Sequence, residues 1–380
     1  MTGGGSTARD YFDSGAIEKR TRGAIMAKTH DVMIMGATYG SLLAIKLSLA
    51  GHNCRLICLP DEARVINSQG IRVRMPAKGR EGSLEVDSRE APGTVSASGP
   101  DEVTPAEYDL VVLAMQEPQY KSPGVRELTQ QVAQSGAPCM SIMNMPPLAY
   151  LARIPGLHAE TLRAAYTEPE IWDAFDPKLM TLCSPDPQAF RPPEEPANVL
   201  QVSLPTNFRA ARFASDEHTA ILRDLERDID AIRYPTGDSE VELPVKLRVH
   251  ESVFVPLSKW SMLITGNYRC VHVDEMIPVC EAVHSDLERS RAVYEWVGSV
   301  LDGMGATEGD QVPFEKYAAA AKGLTKPSSA ARALFNGAPN IERVDKLVRT
   351  IGEQQDRYLP ELDEIVELVD ARLKSNRQKA

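Results

Sequence analysis

The sequence predicts an α/β protein in which a doubly wound, mostly parallel sheet is followed by an all-helical half. Three observations carry this. Asp31–Cys58 reads as strand, glycine turn, helix and second strand. Tyr108–Met115 and Pro138–Met143 are apolar runs with the length and continuity of strands buried on both faces. From Pro244 onward, apolar residues recur with the 3.6-residue period of helices.

Taken in order, Val32–Met35 is a short buried strand, and Gly36 and Gly40 bracket a sharp turn. Leu42, Leu43, Ile45, Leu47 and Leu49 mark a largely apolar helix that Gly51 ends, and Cys54–Cys58 is the second strand. Leu59–Glu62 opens a short helix through Ala63, Val65 and Ile66, and Gly70–Met75 supplies a third strand. Residues 76–107, rich in Gly, Ser, Pro and acids, form an elaborated connection with two weak edge strands, Ser83–Val86 and Thr94–Ala97. A helix covers Val125–Gln134.

Beyond Leu151 the pattern is irregular, and short pieces at Met180–Cys183, Val199–Leu204 and Ala210–Phe213 complete the sheet. Glu217–Ile232 is a helix with Ala220, Ile221, Leu225 and Ile229 on its apolar side. Helices are then expected at Val245–Cys270, Val273–Gly305, Pro313–Leu324, Ser328–Leu334 and from Ile341 to about Lys374, broken at Leu359–Pro360. This shift divides the chain into a disordered extension (1–28), a Rossmann-like nucleotide-binding domain (29–240) and a helical domain for substrate binding and dimerisation (241–380).

The 380 residues are 43% hydrophobic, enough for two cores, and no apolar run approaches membrane-spanning length. A net charge of −11 argues against nucleic acid or an anionic membrane as the main partner, since both require clustered cations. The six cysteines form no CxxC pair, which fits reduced thiols in the cytoplasm. Residues 1–28 mix Arg9, Lys19, Arg20 and Arg22 with acids and lack the apolar core of a secretory signal; Met26 is an alternative start.

A strand–turn–helix unit of this kind aims the free N–H groups at the helix N-terminus toward a pyrophosphate. The common G-x-G-x-x-G fingerprint is degenerate here, being one residue shorter or with Ala37 in the middle role. The candidates for cofactor contact are therefore Gly36, Ala37, Thr38, Tyr39, Gly40 and Ser41, with Thr38 or Tyr39 standing where the pyrophosphate would pass. Gln116 and Asn144 join them by position, at the carboxyl ends of predicted parallel strands; turn capping is the alternative for both. The tip of strand two, Cys58–Leu59–Pro60 with Asp61 and Arg64 beyond, carries neither a clean NAD nor a clean NADP signal.

With these landmarks in place the chain resembles the ketopantoate reductase family of 6-phosphogluconate-dehydrogenase-like oxidoreductases over residues 30–375. The resemblance rests on the turn Gly36–Gly40, the segment Ala63–Ile71, the strand Asp109–Met115 followed by a polar residue, the strand Ser141–Met143 ending at Asn144, and the segment Pro327–Pro339, in that order. It implies reduction of a small 2-keto acid, with NADP(H) preferred over NAD(H), and a lysine on the first long helix of the second half as general acid beside asparagines. In one register Lys259 is that lysine, Asn267 is the second asparagine and Leu263 replaces the first; in the other Trp260 matches a frequent tryptophan and Met262 replaces the lysine. The first keeps two functional side chains about two turns apart, near one helix face.

The chain departs from the family at several points. Gln116 stands where the family has a lysine, and Met145 follows Asn144 in place of glycine. Ile341 stands where the family has its substrate-binding glutamate, so Glu342 is the nearest acid, with a solvated helix position as its alternative. Loss of a fixed cation weakens carboxylate binding and points to a carbonyl substrate other than ketopantoate.

Hydride transfer to a carbonyl leaves an alkoxide, which needs a proton and a stabilised oxygen, and a lysine in apolar surroundings supplies both. Lys259 has Val255, Leu257, Trp260, Met262 and Leu263 near it in sequence; a surface lysine lying over Trp260 is the alternative. Ser328 and Ser329 follow Pro327, where they cap a helix, hold a substrate carboxylate, or both. His272, Glu275, Cys280, Glu281 and His284 fit no closed metal pattern, so no metal is expected, and no G-x-S-x-G nucleophile motif is present. Reduction of an imine, in the manner of opine-forming enzymes, and a nucleotide-binding scaffold that has lost turnover are the competing functions. The long helices are compatible with a homodimer.

Overall fold

A computed structural model describes residues 28–76, 82–237 and 239–379, so the extension expected at residues 1–28 lies outside the described residues except for Lys28. The strands, in order, are β1 (Asp31–Met35), β2 (Asn53–Ile57), β3 (Arg72–Pro76), β4 (Ser83–Asp87), β5 (Val95–Ser98), β6 (Leu110–Leu113) and β7 (Cys139–Ile142). They are followed by β8 (Met180–Ser184), β9 (Gln188–Phe190), β10 (Val199–Leu204), β11 (Phe208–Ala211), β12 (Tyr234–Thr236), β13 (Ser239–Val241) and β14 (Leu247–His250).

The main sheet has eight strands in the order β14-β11-β8-β7-β6-β1-β2-β5. Its pairings are parallel except β8 with β11. From β5 to β8 this is the doubly wound order of dinucleotide-binding sheets, with the strand sequence reversing between β1 and β6. Alternate residues of these two strands face different cores. Val32, Ile34, Leu110 and Val112 pack with the helix Thr38–Leu49 side, while Met33, Met35, Val111 and Leu113 join the core that continues into the helical half. The α/β architecture with a helical C-terminal half is as the sequence predicts.

Two expected strands of the main sheet lie elsewhere. Gly70–Met75 supplies β3 and Val199–Leu204 is β10, both in a separate four-stranded sheet ordered β4-β3-β10-β9. The reason is alternation: Ile71, Val73 and Met75 are buried while Arg72 and Arg74 reach Glu85 on β4, the pattern of a strand with one wet face. The outer place beside β2 is taken by β5, which sequence reading treated as a weak edge piece.

The helix expected from Val245 is also different. Val245 has a left-handed φ of 61°, and Leu247–His250 alternates buried and half-buried residues as β14, paired with β11. The helical turns begin at Val255. The helix expected over Val273–Gly305 is likewise divided into Val279–His284 and Leu287–Met304, the second capped by Asp286, whose side chain accepts from Arg289 N–H. The remaining C-terminal helices are Phe314–Ala321, Ser329–Phe335, Val344–Gln354 and Pro360–Lys379.

Candidate active site at the carboxyl ends of the sheet

At the end of β1, Gly36 has φ 104°, and a Cβ there would lie 2.5 Å from Met115 Cγ and 2.7 Å from the Ala114 carbonyl oxygen. Its N–H donates to Ile57 O at 2.9 Å, tying the turn to β2. A Cβ on Gly40 would lie 2.8 Å from Ile34 Cγ2, so this glycine seats the helix on the sheet. Ala37 is buried at the cap position without a side-chain cap, and the first turn of the helix carries no acid. The helix therefore starts without a side-chain cap at the carboxyl end of β1, where the strand order reverses toward β6, and a helix N-terminus so placed suits a pyrophosphate.

Thr38 is exposed and Ser41 is buried, whereas Tyr39 is half-buried and packs against the core that holds Val32 and Ile34. The Tyr39 phenol is pushed up to about 12, first by burial and then by the Glu342 and Asp186 carboxylates.

Asn144 follows β7. Its Nδ2 donates to Glu342 Oε2 at 3.1 Å, and its carbonyl accepts from Trp260 Nε1 at 3.2 Å. Glu342 is 7% exposed and sits in the connection before the helix Val344–Gln354, so it is not the solvated helix residue that was its alternative. Burial pushes its carboxyl up to about 7, partly offset by hydrogen bonds from Asn144 and nearby backbone amides. Among the described residues, Oε1 of Glu342 and Oδ1 of Asn144 are buried without a partner. The segment is held by Tyr268, whose hydroxyl donates to Glu342 O at 2.5 Å and accepts from Val344 N–H at 3.0 Å, and by the buried Arg343–Asp345 pair at 2.9 Å.

Lys259 lies at the start of the turn Lys259–Met262. Its ammonium donates to Pro185 O and is 3.5 Å from Asp186 Oδ1, with 18% of the side chain exposed, so it does not lie over Trp260 as a surface residue. Burial lowers its proton affinity, while Asp186 and then Glu342 restore part of it. Met262 instead packs against the hydrophobic core.

The following turn, Leu263–Asn267, is a π-helix. Gly266 admits Tyr317, whose hydroxyl donates to Met262 O at 3.0 Å; a Cβ on Gly266 would meet that hydroxyl oxygen at 2.0 Å. In an uninterrupted α-helix the eighth residue on is rotated about 80° from the first. The wider π turn advances less per residue and so reduces that rotation between Lys259 and Asn267.

Other candidates have ordinary partners. Ser328 caps its helix, accepting from Ala331 N–H at 3.1 Å and donating to Asn267 O at 2.6 Å, while Ser329 is exposed. Gln116 is exposed, and its N–H donates to the Gln119 side chain at 2.9 Å, as in the turn-capping alternative. Among the described residues no group of three or more His, Cys, Asp or Glu side chains converges as a metal site.

Sequence reasoning missed Asp186, Glu117 and Arg191. Asp186 sits just beyond β8, at the same end of the sheet as Gln116 and Asn144; strand-end position would have flagged it had its flanking prolines not read as a loop. Glu117 is buried and accepts from Thr167 N–H at 2.9 Å and Thr167 Oγ1 at 2.8 Å. Arg191, after β9, pairs with Glu62 in the first turn of the helix Pro60–Gln69 that follows β2; burial, and then Glu62, push the nearby Cys58 thiol up, which Arg191 partly offsets.

No protein-family model and no curated protein matches the sequence. Solved structures do match in fold. D-mandelate dehydrogenase with NADH and anilino(oxo)acetate is 14% identical, covers 91% of this chain and 99% of its own, and has a TM-score of 0.60. The 2-dehydropantoate 2-reductase of Methylococcus capsulatus is 13% identical over 90% of this chain and 97% of its own, with a TM-score of 0.60. A dimeric ketopantoate reductase of Staphylococcus aureus is 11% identical over 91% and 99%, with a TM-score of 0.54. The chain thus takes, over nine-tenths of its length, the fold shared by ketopantoate reductases and D-mandelate dehydrogenase.

Proposed function

We propose that this chain is a divergent ketopantoate-reductase-like oxidoreductase that reduces a 2-keto acid or related carbonyl compound with NAD(P)H, with Lys259 as proton donor. The observation that carries the reading is the buried contact of Glu342 with Asn144 at the end of β7, with the Lys259 ammonium held beside Asp186 just beyond β8, at the same end of the sheet. The bound nicotinamide would supply hydride to the carbonyl carbon. Lys259 then donates a proton to the oxygen that gains the negative charge, and solvent reprotonates it. Asn267 supports that helix face, while Asn144 and Glu342 offer unpartnered acceptors to donor groups of the ligands.

Gly36, Ala37 and Gly40 would cradle the pyrophosphate against the helix N-terminus. Arg191 beside the tip of β2 supports NADP(H) over NAD(H), because a guanidinium there matches a 2′-phosphate. In this reading residues 29–240 form the cofactor domain, and residues 241–380 cover the site and return β14 to the sheet. A cytoplasmic homodimer completes it; the Staphylococcus aureus protein of the same fold is dimeric.

A second reading, a nucleotide-binding scaffold without turnover, is favoured by Gln116, which is exposed where the ketopantoate reductase family has a lysine. Incubating the purified protein with NADPH or NADH and a panel of 2-keto acids, with and without amines, separates the outcomes. Oxidation with keto acid alone supports the first reading, and oxidation only with added amine makes the enzyme an imine reductase. Nucleotide binding without oxidation leaves the scaffold.

A further inference from the structure

Lys259 is held by a partner outside the sequence landmarks. Its ammonium has three N–H donors. One goes to Pro185 O and a second faces Asp186 Oδ1 at 3.5 Å, leaving a third for a substrate oxygen. Asp186 is fixed in turn. Its Oδ2 accepts from Ser184 Oγ at 2.9 Å and lies 3.9 Å from Arg209 Nη1, and its N–H donates to Ser184 O at 2.9 Å. Arg209 also donates to Ser258 Oγ at 3.2 Å, on the residue before Lys259. The carboxylate therefore sits in a frame built from β8, β11 and the Ser258–Lys259 turn, with only 16% of its side chain exposed.

From this geometry we infer that Asp186 is a positioning residue, which keeps Lys259 protonated and aims its remaining N–H at the reacting carbonyl oxygen. The inference deepens the reductase reading and rests on it for its catalytic part. A buried lysine without a counter-charge tends to lose its proton and could not then donate one. The groups acting on Lys259 are Asp186, Glu342 and Cys183, with Arg209 competing for Asp186, and both carboxylates also act on the Tyr39 phenol. Burial pushes the Glu342 carboxyl up to about 7, and Asp186 is the carboxylate that lies 3.5 Å from the Lys259 ammonium.

The test is Asp186→Asn, which preserves shape and removes charge, with Asp186→Glu as the conservative comparison. Titration of Lys259 is followed by NMR of lysine labelled at Cε, its signal assigned by its loss in Lys259→Arg. In Asp186→Asn the midpoint is expected to fall by about one pH unit or more, with most of that restored in Asp186→Glu. Because the proton donor must be charged, the alkaline limb of kcat moves to lower pH by the same amount while KM for NADPH holds. A Lys259 midpoint unmoved by Asp186→Asn overturns the inference. Complete lack of turnover in the unmodified protein overturns the reductase reading and the catalytic use of the pair, and the lysine titration distinguishes that result from absence of the pair itself.

Discussion

Asn144 and Glu342 meet through a 3.1 Å hydrogen bond across 198 positions of sequence, joining the end of β7 to the connection before the helix Val344–Gln354. In the folded chain Glu342 titrates near 7, against 4.5 for an ordinary glutamate, so the folded state holds an extra proton between these values. Its contribution is therefore present at the acid side and is lost as pH rises through about 7. Glu342→Gln, which mimics the protonated acid, is expected to flatten the fall of Tm between these pH values. An unchanged slope would remove Glu342 from the account.

Tyr39 tests the glycine turn. Replacing it with alanine removes the largest side chain of the turn Gly36–Gly40, and NADPH affinity measured by fluorescence titration is expected to rise by about threefold to tenfold. Weakened binding would show instead that the phenol ring packs against the nucleotide.

Cofactor choice is tested at the tip of β2. Arg191→Ala is expected to weaken NADPH binding about tenfold or more, the loss of one charge-assisted contact, and to leave NADH within about twofold. Equal losses for both cofactors would remove Arg191 from the 2′ position.

Lys46 makes a separate prediction about stability. It is buried in the helix Thr38–Leu49 and donates to Pro244 O at 3.0 Å, next to the left-handed Val245. Burial, chiefly, lowers its pKa from 10.5 to about 7. The unfolded chain thus binds more protons between these values, and this residue makes stability rise with pH across that window. Lys46→Met should abolish that rise in Tm; a slope that persists contradicts it.

The parts of the fold legible in the sequence were those where burial repeats. Val32–Met35, Leu110–Leu113 and the period of the C-terminal helices follow from apolar pattern alone. What escaped was partnership. Ile71–Met75 alternates as a strand with one wet face, but its partners β4, where Glu85 lies opposite Arg74, and β10 come from distant segments. Leu247–His250 is too short for its period to separate strand from helix.

At the site, Gly36 was a candidate from the glycine turn and Lys259 from the resemblance, in one of two registers; the burial of Lys259 beside Asp186 was not legible. Glu342 looked displaced because register counts residues along the chain, whereas Tyr268 and the Arg343–Asp345 pair turn its carboxyl inward. Asp186 lacked any motif, and its role comes from where β8 ends.

The most direct test compares turnover and binding in the unmodified protein and Lys259→Met. The account predicts oxidation of NADPH with at least one 2-keto acid, a kcat lower by about a hundredfold or more in the variant, and NADPH affinity within about threefold in both. Turnover unchanged in Lys259→Met, or none in a folded protein that binds NADPH, would contradict it.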